Sequence, residues 1–367
     1  MKKIALLLTA VLCLSLCLMI PASAEEPAEE PALESDGFRY RLLEDGTAEI
    51  LKYTGKELSL KIPEALDGHP VTSIGDEAFY NYKYSMEDLT IPATVTRIGS
   101  SAFAMTDLEE IEIPAGVVSM GINPFGYCTS LKTITVAEGN PVFYVEDSVL
   151  FCREDHSLVC FPNMAVDPYE NWDEIEENPD PVIYTVPAGT EIIRGDAFGG
   201  VECLSGVILP DSLRAIGPQA FGFCWSLDEL VIPDSVTEIG EAAFDTCQDL
   251  GRLVLPAGLK QIPSMLCYEC ESLLEVVVQE GVTEIGDGAF AFCSELEHVQ
   301  IPDGVTVIEP SAFEGCSSLE SVVIPDSVQS IGENAFAFCE ESIVITCSPD
   351  SYAWKYCEQN SIPFRAE

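Results

Sequence analysis

One phrase recurs along this chain every 23 residues, and that interval limits the fold more than any single motif does. Cys224, Cys247, Cys270, Cys293, Cys316 and Cys339 mark the beat. Three places earlier stands an aromatic, at Phe221, Phe244, Phe290, Phe313 and Phe336, with Cys267 in the remaining copy. A proline follows the apolar run at Pro210, Pro233, Pro256, Pro302 and Pro325, with Gln279 as the exception. Phe79, Phe103, Phe125 and Phe198 carry the pattern toward the N-terminus with small drifts, giving about ten units of the form L-x-x-V-x-I-P-x-x-V-x-x-I-G-x-x-A-F-x-x-C. A catalytic motif occurs once, so a phrase repeated at fixed spacing describes architecture.

Within one unit, Leu227, Leu230 and Ile232 alternate as a short strand with one inward face. Pro233 has no N–H to donate and ends the strand. Val236 and Ile239 point inward from the next side, Ala243 and Phe244 form a short helical or 3₁₀ turn, and Cys247 and Leu250 close the circuit. One such coil cannot bury its inward face, whereas a stack can. The expected fold is therefore a repeat solenoid of about ten 23-residue coils with one parallel β-sheet face. The glycine of the recurrent Ile-Gly step is replaced by Arg194, Pro263 and Glu309 in three copies. Proline cannot take a positive φ, so this glycine serves close packing and not a left-handed turn.

Residues 1–24 read as a secretory signal peptide: Lys2 and Lys3, an apolar run from Ile4 to Ile20, then Ala22-Ser23-Ala24. Residues 25–37 read as an acidic disordered tether. The solenoid occupies 38–367. Its N-terminal β cap at 38–70 includes a hairpin around Asp45-Gly46, and its C-terminal cap at 346–367 places Tyr352, Ala353, Tyr356 and Cys357 at helical spacing over the last rung. The beat breaks at 137–186, where two apolar runs flank Cys152–His156 as a hairpin. Residues 167–181 then carry seven acids and no base, which reads as a loop or lid over one edge.

The formal charge is −45; without Lys2 and Lys3 the chain holds 15 basic and 62 acidic residues, or −47. That field excludes nucleic acid as a partner, because binding it relies on cationic neutralisation of phosphates. No run after residue 24 is long and apolar enough to span a bilayer. Thirteen of the 15 cysteines follow the leader. Equivalent side chains on stacked rungs lie ~4.8 Å apart, beyond the roughly 3.5–4.5 Å that a disulfide needs between Cβ atoms. The six ladder cysteines and Cys128 are thus expected as buried thiols, and Cys152/Cys160 and Cys347/Cys357 are the better-placed disulfide pairs.

The repeated unit, the "LDGHPVTSIG" lead-in, the "NPVFYVEDSVLF" hairpin and the "SYAWKYC" end resemble the BspA-type leucine-rich repeat family of bacterial secreted and surface proteins over residues 38–367. The resemblance implies a leucine-rich-repeat-like solenoid and a non-enzymatic protein-binding scaffold, secreted or at the cell surface, that meets host extracellular or bacterial surface proteins. It leaves open a self-assembling structural protein and a carbohydrate-active solenoid enzyme. No LPxTG sorting motif occurs.

Little in the chain points to chemistry. His69, His156 and His298 are far apart in sequence, and Cys267-x-x-Cys270 lies on ladder sites, so neither a metal, a cofactor nor a catalytic group is assigned. The outward strand positions are more informative. Thr90, Glu112 and Thr135 are followed by Ile208, Val231, Val254 and Val277, then Gln300 and Val323. Beside them fall Asp228, Glu229, Glu275 and Glu297, with Arg252 as the one base. Valine and isoleucine suit strands wherever they occur, but an exposed apolar stripe rimmed by charge also marks interaction surfaces. Ile208, Val231, Val254, Val277, Val323 and those four acids are the candidate binding residues.

Overall fold

Backbone pairing between successive coils builds the molecule. The computed structural model describes residues 32–82, 88–163, 181–339 and 343–366. The leader, most of the tether and nearly all of the 167–181 acidic segment lie outside the described residues. The chain winds as a parallel β-solenoid of about 13 turns. On one side each turn contributes a short strand, from Ser59–Lys61 to Phe364–Ala366. Val182–Thr185 through Phe364–Ala366 form one nine-stranded parallel sheet. Its register is direct: Val231 faces Val254, which faces Val277. On a second side, two-residue strands such as Ala215–Ile216 and Glu238–Ile239 pair in the same sense. The turn count exceeds ten because Thr133–Val136 before the insertion and Val344–Cys347 and Phe364–Ala366 at the end keep the strand without the rest of the phrase.

The third side differs from expectation. It is a non-helical run in which alternate N–H groups reach the next coil: Gln219 N to Glu241 O at 3.0 Å, and Phe221 N to Ala243 O and Phe223 N to Asp245 O at 2.8 Å. Two residues per coil are left-handed to achieve this, Gln219 and Phe223 in one coil and Ala242 and Thr246 in the next. A helix would turn those donors onto its own carbonyls and leave the coils unbonded. The Ile-Gly glycines act by proximity, as expected: a Cβ on Gly240 would lie 2.3 Å from Pro218 N, and Gly240 has no positive φ.

The core is a column of rings. Phe198, Phe221 and Phe244 stack at centroid spacings of 4.8 and 5.5 Å, and Phe290, Phe313 and Phe336 at 5.5 and 5.3 Å. Tyr356 of the helix Tyr352–Asn360 continues the second column edge-on at 6.4 Å. Each ladder thiol has a specific role in addition to filling space. Cys224, Cys247, Cys270 and Cys316 donate to the carbonyls of Phe198, Phe221, Phe244 and Phe290 at 3.0–3.2 Å, and Cys128 reaches Phe103 O in the same way. Burial pushes the Cys247 and Cys316 thiols well up, so they stay protonated and unreactive. All thirteen cysteines of the described residues are free, including both pairs expected to bridge. Cys152 faces Ser157 and Cys160 faces Leu150, which separates that pair along the strands.

The breaks in the beat also resolve. Leu33–Ser35 pairs antiparallel with Phe38–Leu42, so the ordered cap begins inside the segment read as a disordered tether. Phe38–Leu42 and Ala48–Tyr53 form the expected hairpin. At the other end, Ala353, Tyr356 and Cys357 are buried while Tyr352 is exposed, and strand Phe364–Ala366 follows the helix, which therefore lies within the final coil. The hairpin expected around Cys152–His156 is present, Val149–Cys152 pairing antiparallel with Ser157–Cys160, and Phe143–Glu146 extends it into a meander. Val149–Cys152 and Ser157–Cys160 are buried on both faces. Leu150 and Cys152 pack into the N-terminal core, and Val149 and Phe151 into the C-terminal one. The meander is a septum through the solenoid, and side-chain alternation sends successive residues to opposite cores.

Replacing Phe244 by alanine should cost about 3–5 kcal/mol in chemical denaturation, because the column cannot collapse locally. Alkylation in denaturant without reductant should label the seven ladder cysteines, and rung-to-rung disulfides found by mass spectrometry would contradict the S–H donation seen here.

Candidate functional site

The five three-residue strands from Glu229–Val231 to Ser321–Val323 send their middle residue inward and their flanking residues outward, as in Glu229-Leu230-Val231 with pattern exposed, buried, exposed. Stacking at direct register turns those outward residues into rows. One row runs Ile208, Val231, Val254, Val277, Gln300, Val323. Ile208, Val231 and Val323 are 55%, 56% and 49% exposed, and Val254 and Val277 are half-buried between neighbours. Gln300 interrupts the row, so Val323 stands apart from the other four. The second row holds Glu229, Arg252 and Glu275, with Arg252 Nη1 3.2 Å from Glu229 and Nε 2.9 Å from Glu275. Arg252 is thereby committed to two carboxylates. Asp228 and Glu297 are exposed at the strand entrances. The predicted residues therefore share one face.

Two apolar neighbours were not anticipated. Ile183, 59% exposed, leans over Gly206, whose absent Cβ would lie 3.6 Å from its Cγ1. Leu274, 48% exposed, precedes Glu275. The alternation in "PVIYTVP" could have revealed Ile183, but the insertion hides the beat there. The N-terminal half presents Lys61, Thr90, Glu112 and Thr135 instead, so the apolar row is confined to one region of the face.

Other features lie elsewhere. Where the septum wedges the coils apart, a shallow groove of about 570 Å³ opens between Met120, Ile122, Ile192 and Ile216. On the turn side the two halves meet directly, and Asn123 Nδ2 donates to Asp196 O at 2.6 Å. The Tyr127 ring crosses this seam over glycines: a Cβ on Gly200 would lie 2.9 Å from it. Burial raises the Asp196 and Asp245 carboxyls to about 7. Asp245 accepts from Thr246 Oγ1 at 3.0 Å. Of the histidines, His69 meets Gly46 O, His156 meets Glu191, and His298 is exposed on the sheet.

A carboxyl whose pKa is higher folded than unfolded binds its proton more tightly in the native state. Its stabilising contribution is full below about pH 4 and is lost as pH rises through about 7. The urea midpoint should therefore fall between about pH 5 and pH 8. Asp196→Asn should raise the midpoint at the upper pH and reduce the difference; an unchanged difference would leave the slope to Asp245 and surface repulsion.

Among solved structures, a leucine-rich repeat protein from Eubacterium ventriosum superposes with TM-score 0.65 at 22% identity, covering 83% of this chain and 93% of that one. A leucine-rich repeat protein from Bacteroides ovatus gives 0.49 at 22% identity over 91% and 99%. A leucine rich cell surface protein from Faecalibacterium prausnitzii gives 0.42 at 22% identity over 92% and 98%. The first of these supports the fold, and at such identity the fold alone. No curated protein matches the chain. The BspA type leucine rich repeat region is matched in six copies across residues 56–163, 183–296 and 260–365. With its strand, turn and ring ladders in the same segments, the chain belongs to the BspA-type leucine-rich repeat family.

Proposed function

We propose that this protein is a non-enzymatic binding scaffold, secreted or held at the bacterial surface, that engages a protein partner through the sheet face of its C-terminal half. The observation that carries the reading is the contiguous row Ile208, Val231, Val254 and Val277 with acids beside it. Those side chains contribute nothing to the column of rings, yet they present apolar surface to water over adjoining rungs. Family membership and the leader-like residues 1–24 support the location. Among the described residues no helix is long and apolar enough to cross a membrane. Adhesion to host or bacterial surface proteins is the biological role in keeping with such a face.

Self-assembly is the second reading, favoured by the C-terminal strand Phe364–Ala366, which is paired along one edge only among the described residues. Light scattering against concentration separates the two.

The mature chain, residues 25–367, should capture a partner from host extracellular or bacterial surface extracts. Changing Val231 and Val254 together to lysine should leave the circular dichroism and the denaturation midpoint nearly unchanged and abolish capture. Undiminished affinity of the double variant would remove the sheet face as the site.

A further inference from the structure

The sheet face also restricts the shape of what it binds, an inference that rests on the scaffold reading above. We infer that the occupant is an amphipathic α-helix with basic flanks, lying along the stack axis over Ile208, Val231, Val254 and Val277. Three observations lead there: the pitch of the row, the charge on both of its sides, and its restriction to one half of the sheet.

The pitch comes first. Apolar side chains along the row repeat once per rung, at ~4.8 Å. On an α-helix, apolar residues at i, i+3 or i+4, and i+7 form a stripe that repeats once per turn, ~5.4 Å. A helix tilted about 27° from the stack axis projects that repeat onto ~4.8 Å, so every turn sets an anchor beside a rung. An extended peptide laid along the same axis repeats its same-face side chains at about 6.8 Å and is out of step by the second rung. Bringing it into step requires a tilt of about 45°, which carries it sideways by ~14 Å over the four rungs, about twice the drift of the tilted helix. Addition of a strand is a different geometry, because it needs a free sheet edge and the row lies on a face.

Charge then fixes the flanks. At the strand entrances stand Asp228, Glu229, Glu275 and Glu297, with Arg252 already held by Glu229 and Glu275. At the strand exits Asp211, Asp234, Glu280, Asp303 and Asp326 are exposed on successive rungs, with Ala257 as the single neutral member. The apolar row thus runs between two acidic borders, and residues 261–339 contain no lysine or arginine. A helix with an apolar stripe and lysine or arginine on both sides complements this arrangement, in the manner of the charged positions that flank a coiled-coil seam. An acidic or neutral helix would meet repulsion or unpaired carboxylates. The N-terminal half, with Lys61, Thr90, Glu112 and Thr135 in the equivalent row, offers neither the stripe nor the pitch-matched anchors.

The test uses the mature chain and three fluorescent synthetic peptides of about 18 residues with identical leucine and lysine content. One carries the helical stripe, one alternates leucine and lysine, and one is scrambled. Anisotropy titrations are run at near-physiological salt, where surface charges are partly screened. The helical peptide should bind saturably, gain helical circular dichroism on binding, and bind at least tenfold more tightly than the other two. The Val231→Lys/Val254→Lys variant should lose at least tenfold of that affinity. Equal binding of all three peptides shows charge attraction alone and overturns the inference, as does preference for the alternating peptide or indifference to the double variant. If the helical peptide fails while a captured protein partner still depends on Val231 and Val254, the scaffold reading stands and the helix is wrong. If that partner is also indifferent to the double variant, both fall.

Discussion

The structure depends on stacking equivalent groups at one rung spacing. Strand N–H groups, alternate turn N–H groups and the ladder thiols find their acceptors in a neighbouring coil, while the intervening turn N–H groups bond three residues back in their own. A coil taken alone would leave its turn donors and its phenylalanine exposed. Stability is therefore shared between neighbours, as expected of a quasi-one-dimensional protein. The cysteine of the phrase shows how far this goes. An alanine could fill the volume, but only a small side chain with a donor can also satisfy the preceding phenylalanine carbonyl. The same donation engages the S–H of Cys224, Cys247, Cys270, Cys293, Cys316 and Cys339 with a carbonyl 26 residues back, in the preceding coil, and burial pushes the Cys247 and Cys316 thiols up.

Ladders of this kind tolerate interruption only when the interruption is itself stackable. The 143–160 meander meets that demand by being apolar on both faces, so each adjoining half of the solenoid treats it as a further rung. On the turn side no rung is inserted, and the halves close through Asn123 and through Tyr127 lying across Gly199, Gly200 and Gly222. The wedge between a spread side and a closed side accounts for the groove near Ile122 and Ile192. It also leaves Val182–Thr185 at the end of the nine-stranded sheet, with Ile183 exposed.

Because the inward positions are fixed by stacking, the outward positions are free to differ from rung to rung. The molecule uses that freedom unevenly. Its N-terminal cap buries Glu49 between Arg41, Arg97 and Ser73, a charge network that ties four strands. Its C-terminal half places acids on both borders of an apolar row and almost no bases. The proposed binding face is thus a property of the variable positions laid on an invariant frame.

The repeat by itself determines most of the architecture. Period, inward residues, the parallel sheet and the outward row around Val231 and Val254 all follow from spacing, because stacking forces equivalent residues into equivalent places, and the N-terminal hairpin follows from Asp45-Gly46. Tertiary structure alone decided three things. It made the short helical or 3₁₀ turn expected at Ala243-Phe244 a run with two left-handed residues, since the acceptors of alternate N–H groups lie in another coil and no local pattern encodes them. It made the expected hairpin at 149–160 a septum, because two-faced burial is visible only once both halves are present. It kept Cys152 and Cys160 apart, because register within the meander depends on a bulge between Leu150 and Phe151 that the spacing does not specify. Local periodicity thus fixed what each residue faces, and contacts across the stack fixed what it meets there.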